Sequence, residues 1–125
     1  FGNTSTDYAK RRTFIDPAER ALYDFFTTDK AQFGVGGGVS GRLLKDDSLL
    51  LCATAVQHVK AGGPGREFHV IRTGGIEGAK DLIQSDAKGI SLNQWFTGRW
   101  AAFAGNGYDS YRRVHEEYLR LTSAA

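Results

Sequence analysis

Between Gly34 and Gly41 the chain carries five glycines: Gly34, Gly36, Gly37, Gly38 and Gly41. Glycine costs about 1 kcal/mol per position in a helix interior, so no stable helix crosses this stretch. The run splits the helical periodicity of the chain into a short part before it and a long part after it. The stretch itself reads as a loop or an irregular hairpin. A phosphate-binding loop would need Lys and then Ser or Thr behind its glycines, and a strand in front of them. Arg42-Leu43 follows instead, and no clear strand precedes. A plain turn is the expectation here, not a nucleotide site.

The segment before the glycines is a well-marked helix start. Asp16 suits the N-cap, Pro17 the first helical position, and Glu19 stands three residues after the cap. Ile15 precedes the cap as a hydrophobic staple. Leu22, Phe25 and Phe26 recur at helical spacing, and the helix is expected to end near Asp29 or Lys30. Behind the glycines, Leu49, Cys52, Ala53, Val56 and Val59 form a second helical stripe that stops at Gly62-Gly63-Pro64-Gly65. Arg66 to Thr73 reads as a short strand or extended connection. A short helix is expected from Ile76 to about Gln84. Ser91, with Gln94 three residues on, is expected to open an aromatic helix carrying Leu92, Trp95, Phe96, Trp100 and Phe103. The last helix is expected from about Asp109 to Thr122, with Tyr111, Val114, Tyr118 and Leu121 as its stripe. The expected fold is mainly α (α+β): about five helices with a glycine-rich irregular hairpin after the first. Residues 1–12 are polar and unpatterned, an arm ahead of one globular domain over 13–125.

Composition narrows the function classes. A net charge of +2 is too weak a field to point to nucleic acid. No apolar run is long enough to span a bilayer. A single cysteine, Cys52, rules out an intramolecular disulfide. No His, Cys, Asp and Glu spacing points to a metal, and no cofactor is expected. The chain begins at Phe1 rather than Met, as expected of a processed chain or an excised domain, so the lack of a signal-peptide pattern carries no weight.

Three stretches resemble phage-type peptidoglycan hydrolases, the N-acetylmuramidases and lambda-type lytic transglycosylases. Gly98-Arg99-Trp100-Ala101-Ala102-Phe103-Ala104-Gly105-Asn106-Gly107-Tyr108, with Tyr111 and the helix to Leu121, is similar to their C-terminal end. Gly75 to Ile83 is similar to the short helix before it, and Ala21-Leu22-Tyr23-Asp24-Phe25-Phe26 to the first helix of the lambda type. The resemblance implies a lysozyme-like fold, peptidoglycan glycan strands as partner, and a secreted or envelope-acting protein. It also implies a catalytic Glu near the end of the first helix. That position is Lys30 here, with Asp29 beside it.

Glycoside cleavage requires a protonated carboxyl group beside the leaving oxygen and stabilisation of positive charge on the sugar ring. The resemblance makes Asp29 the candidate acid, with Phe25, Phe26 and Phe33 to supply an apolar surround that raises its pKa. Thr28, Phe33 and Ser40 are the candidate substrate contacts. The plain alternative is that Asp29 is a solvated helix-end residue paired with Lys30. A non-catalytic domain binding glycan or a protein partner is the second reading. A third is a cysteine-dependent toxin or deamidase with Cys52 as nucleophile and His69 as base. It requires Leu49 to Val59 to be a strand, so that Cys52 and His69 face each other across a hairpin. An RNA-cleaving toxin using His58, His69 and Arg72 is its cousin.

Overall fold

The computed structural model describes residues 12–21, 24 and 40–124. Among these the architecture is mainly helical with one small sheet. A 3₁₀ turn over Gly41–Leu44 runs directly into α1 (Lys45–Gly62). Then follow β1 (Ile71–Thr73), α2 (Ala79–Ala87), β2 (Leu92–Gln94), α3 (Thr97–Asn106), a 3₁₀ turn (Gly107–Asp109) and α4 (Ser110–Ser123).

The start of the first expected helix is visible. The Asp16 carboxylate accepts the Ala18 N–H at 2.9 Å, the Asp16 carbonyl accepts the Glu19 N–H at 2.9 Å, and Ile15 is buried. Arg20, Ala21 and Asp24 are helical, while most of the expected helix lies outside the described residues. Arg12, expected on a polar arm, instead forks onto the Asp24 carboxylate with two bonds of 2.8 Å.

Helix α1 follows its stripe. Cys52 and Val56 are buried and pack with Ile90, flanked by Leu49 and Val70. It ends where expected, because Gly63 takes the left-handed conformation (φ +50°) and donates its N–H to the Val59 carbonyl at 3.2 Å. The next helix starts three residues later than its periodicity indicated. Gly78 is extended, and Asp81 reaches back to accept the N–H groups of Glu77 (2.8 Å) and Gly78 (3.2 Å). This carboxylate satisfies the orphan donors at the start of α2.

The expected helix from Ser91 is corrected in its first half. Leu92 to Gln94 is a strand, paired parallel to β1 with Ile71 opposite Leu92 and Thr73 opposite Gln94. Helix begins only at Thr97. Burial of Ile90 against Cys52 and Val56 and the bonds from Ser91 and Leu92 N–H to the Val70 carbonyl hold the segment beside β1, and this tertiary pairing outweighs local capping preference. The two strands are parallel and joined through α2, so the described sheet is a β–α–β unit and not a hairpin. Of the glycine-rich loop or irregular hairpin expected over Phe33 to Leu44, residues 33–39 lie outside the described residues, and its end, Gly41–Leu44, is a 3₁₀ turn.

The sheet inverts the usual pattern. Arg72 is fully buried, whereas Ile71 and Leu92 are about half exposed. Arg72 Nε donates to Ser48 Oγ (3.1 Å), Nη1 to the Asp81 carbonyl (3.2 Å) and Ser85 Oγ (3.1 Å), and Nη2 to the Lys45 carbonyl (2.9 Å). One side chain thus ties α1, β1 and α2 together. Burial works against its charge, and the nearby Asp81 carboxylate partly offsets that.

Candidate functional site

Two adjoining cavities lie around the end of the glycine-rich stretch. The larger, a cleft of about 490 Å³, is bounded by Phe14 to Glu19 on one side, Ser40 to Leu43 on another, and Glu77, Thr97, Gly98 and Ala101 on the rest. The smaller, about 230 Å³, lies at the carboxyl ends of β1 and β2. Ser40, Gly41 and Thr97 border both. The close approach that shapes them comes from glycine. A Cβ on Gly98 would overlap the Ile76 carbonyl, and one on Gly75 would overlap the Lys45 backbone.

Three carboxylates face the cleft, and they differ in their ties. Asp16 caps the Ala18 N–H. Glu77 receives Arg42 Nε at 2.9 Å and Lys45 Nζ at 2.7 Å, and Lys45 also meets Asp81 at 3.0 Å. Partial burial pushes the Glu77 carboxyl up, but its bonds to Lys45 and Arg42 outweigh this and hold it below the usual carboxylate range. Burial likewise pushes the Lys45 ammonium down, and its bonds to Glu77 and Asp81 outweigh that and hold it above its ordinary value. A carboxyl group held in this direction is poorly suited to act as a general acid, which needs a raised value. Glu19 differs from both: its side chain makes no hydrogen bond or ion pair among the described residues, so the reciprocal arm of the expected capping box is not formed.

Of the residues singled out from sequence, Asp29, Thr28 and Phe33 lie outside the described residues. Ser40 is exposed, and its hydroxyl stands 3.3 Å from Thr97 Oγ1, on the border of both cavities. Cys52 is far from the chemistry proposed for it. Leu49 to Val59 is helical, as its stripe indicates, so the strand that a thiol–imidazole pair required is absent. The thiol is buried and bonds to the Ile71 carbonyl at 3.7 Å. Burial pushes its pKa up, with the Arg72 charge a smaller opposing influence. A nucleophilic thiol needs the reverse. His69 is exposed and pairs with Glu67 at 2.9 Å. The RNA-cleaving variant fails on Arg72, whose guanidinium is buried and fully engaged in holding the fold. No group of three or more His, Cys, Asp or Glu side chains among the described residues is placed to hold a metal. No helix among them is long and apolar enough to cross a membrane.

Helix α3 adds an aromatic row. Phe96, Trp100, Phe103 and Tyr108 meet edge to face in sequence, at centroid distances of 6.3, 6.4 and 5.3 Å. Phe96, Trp100 and Tyr108 are exposed, and Arg99 stacks over Trp100 at 5.6 Å, Phe103 at 6.0 Å and Tyr111 at 5.3 Å. A third, mostly apolar groove of about 390 Å³ lies between α2 and α4. At its edge the Tyr118 hydroxyl donates to Asp86 at 2.5 Å, a bond that raises the phenol pKa.

Sequence reasoning missed Glu77 as an ion-pair hub and missed Thr73, Gln94 and Thr97 as cavity walls. The available signal was Thr73-Gly74-Gly75 directly after a short strand, a place where a parallel sheet opens to ligands. No protein-family model matches the chain, and no curated protein and no solved structure matches it either.

Proposed function

We propose that this chain is a peptidoglycan-cleaving domain, a glycosidase or lytic transglycosylase that holds a glycan strand in the 490 Å³ cleft. The lysozyme-like reading of the fold belongs to the same proposal. It rests on the order of a capped helix start, a glycine-rich stretch of sequence and then helices. The observation that carries the functional reading is the cleft itself. It opens between the first helix start and the end of the glycine-rich stretch, and it offers Glu19 as a carboxyl group with no hydrogen bond or ion pair among the described residues.

In this reading Glu19 or Asp29 protonates the leaving glycosidic oxygen. Glu77, tied to Lys45 behind it, remains ionised and orders Arg42 along the wall. A transglycosylase uses the substrate's own hydroxyl as nucleophile, so a second protein carboxylate is not required. The test is release of soluble fragments from purified cell walls. Asp29→Asn or Glu19→Gln should abolish it, with an expected loss of about 10²-fold or more for a general acid. Wild-type protein that leaves walls intact, or both variants cleaving at the wild-type rate, would sink the proposal.

A non-catalytic glycan- or protein-binding domain is the second reading. The exposed aromatic row of Phe96, Trp100 and Tyr108 favours it, because stacking surfaces bind without chemistry. Sedimentation with cell walls and no fragment release would select it.

A further inference from the structure

We infer that the 230 Å³ pocket at the carboxyl ends of β1 and β2 is a subsite for one neutral, hydroxyl-rich ring of the bound glycan. This rests on the glycan reading above. Its wall is made by the hydroxyls of Ser40, Thr73 and Thr97, the carboxamide of Gln94, and the aromatic ring of Phe96. Among the described residues no ionised side chain lines it. Thr73 Oγ1 donates to Gln94 Oε1 at 3.1 Å, which orients the carboxamide and leaves both Gln94 N–H donors for a ligand. Hydroxyls both donate and accept, which matches the mixed hydrogen bonding of a sugar ring. Phe96, 68% exposed, offers a flat apolar face for the C–H side of such a ring.

The obvious rival ligand for a glycine-containing loop between a strand and a helix is a phosphate. Here its partners are already taken. The Asp81 carboxylate occupies the N–H groups of Glu77 and Gly78 at the start of α2. The nearby cations Arg42 and Lys45 are bound to Glu77. Among the described residues an anion would meet the Asp81 carboxylate ahead of the helix and cations already paired with Glu77, whereas a neutral ring pays no such penalty. The size also fits: the pocket is smaller than the roughly 300 Å³ at which drug-sized sites begin, so it holds one ring, and the next ring passes into the cleft across Ser40 and Thr97.

The experiment titrates the full chain with the tetrasaccharide of N-acetylglucosamine and, separately, with inorganic phosphate, by calorimetry and by the side-chain amide signals of Gln94. Wild-type protein should bind the tetrasaccharide and not phosphate. Gln94→Leu and Phe96→Ala, both at exposed positions, should each weaken tetrasaccharide binding by about tenfold or more. Unchanged affinity in both pocket variants, phosphate binding at Gln94, or no tetrasaccharide binding by the wild type would overturn the subsite. If walls are still cleaved in an acid-dependent way while the pocket variants bind normally, the subsite alone falls. If the pocket variants lose binding but neither acid variant affects wall cleavage, the cleavage mechanism falls and the subsite stands.

Discussion

Two arginines of this protein are held in opposite ways. Arg72 is buried between α1, β1 and α2, and all three of its nitrogens donate to neutral oxygens of four residues. Arg99, on α3, leaves its buried Nε without a hydrogen-bond partner and rests its guanidinium on the faces of Trp100, Phe103 and Tyr111. Directional hydrogen bonds in a low-dielectric interior fix one geometry, and losing them removes several bonds of one network together. Stacking on π faces is weaker and tolerates sliding. The first region is therefore the rigid frame. The second, with its exposed rings, is the face suited to meet a ligand.

The comparison is broken most strongly at Arg72. Arg72→Leu removes four hydrogen bonds of a buried side chain at once, although Ser48, Ser85 and the Lys45 and Asp81 carbonyls keep their bonds to one another and to Gly74 and Asn93, and should cost about 3–5 kcal/mol in urea unfolding. A loss below about 1 kcal/mol would mean that the buried network is not the frame. Gly75→Ala comes next. Its φ of +76° and the overlap of a Cβ with the Lys45 backbone should cost at least about 1–3 kcal/mol, read by the same unfolding curve.

Glu77 sharpens the comparison through pH. Its folded carboxyl lies below the ordinary value of about 4.3, so its contribution is fully present above that pH and is lost as pH falls through the folded value. Glu77→Gln should therefore lower the urea midpoint at neutral pH, and the gap to wild type should close as pH approaches about 2. A gap independent of pH would show that the ion pairs contribute nothing. The smallest effect is expected at Arg99. Arg99→Leu removes only stacking and should change stability by about 0.5–1 kcal/mol. A cost as large as that of Arg72→Leu would erase the distinction between the two regions.

Much of the frame could be read in advance, and the reason is local. The stripe of α1 and its glycine stop, the Asp16 cap and the amphipathic α4 all depend on residues within a few positions of one another. The charged side of α4 also follows its pattern, with Arg112 reaching Asp109 at 3.0 Å and Glu116 at 2.9 Å. Where long-range pairing competes, the same reasoning fails. Ser91 with Gln94 has the pattern of a capping box, yet Leu92 to Gln94 lies beside Ile71 to Thr73 as a strand. The β1 sequence is Ile71-Arg72-Thr73, yet it is the cation Arg72 and not the apolar Ile71 that turns inward, because Ser48, Ser85 and two carbonyls wait there.

The candidate site divides along the same line. From the sequence came a capped helix, a helix-excluding glycine run, and a thiol on a helix stripe that packing would bury. Each of these follows from backbone propensity and short-range periodicity. Only the tertiary structure decided that Glu77 is tied to Arg42 and Lys45, that Glu19 faces a cleft with no side-chain partner among the described residues, and that Thr73 and Gln94 meet at the open end of a parallel strand pair. Those facts depend on distances between residues 21 to 58 positions apart along the chain, and no local pattern encodes them.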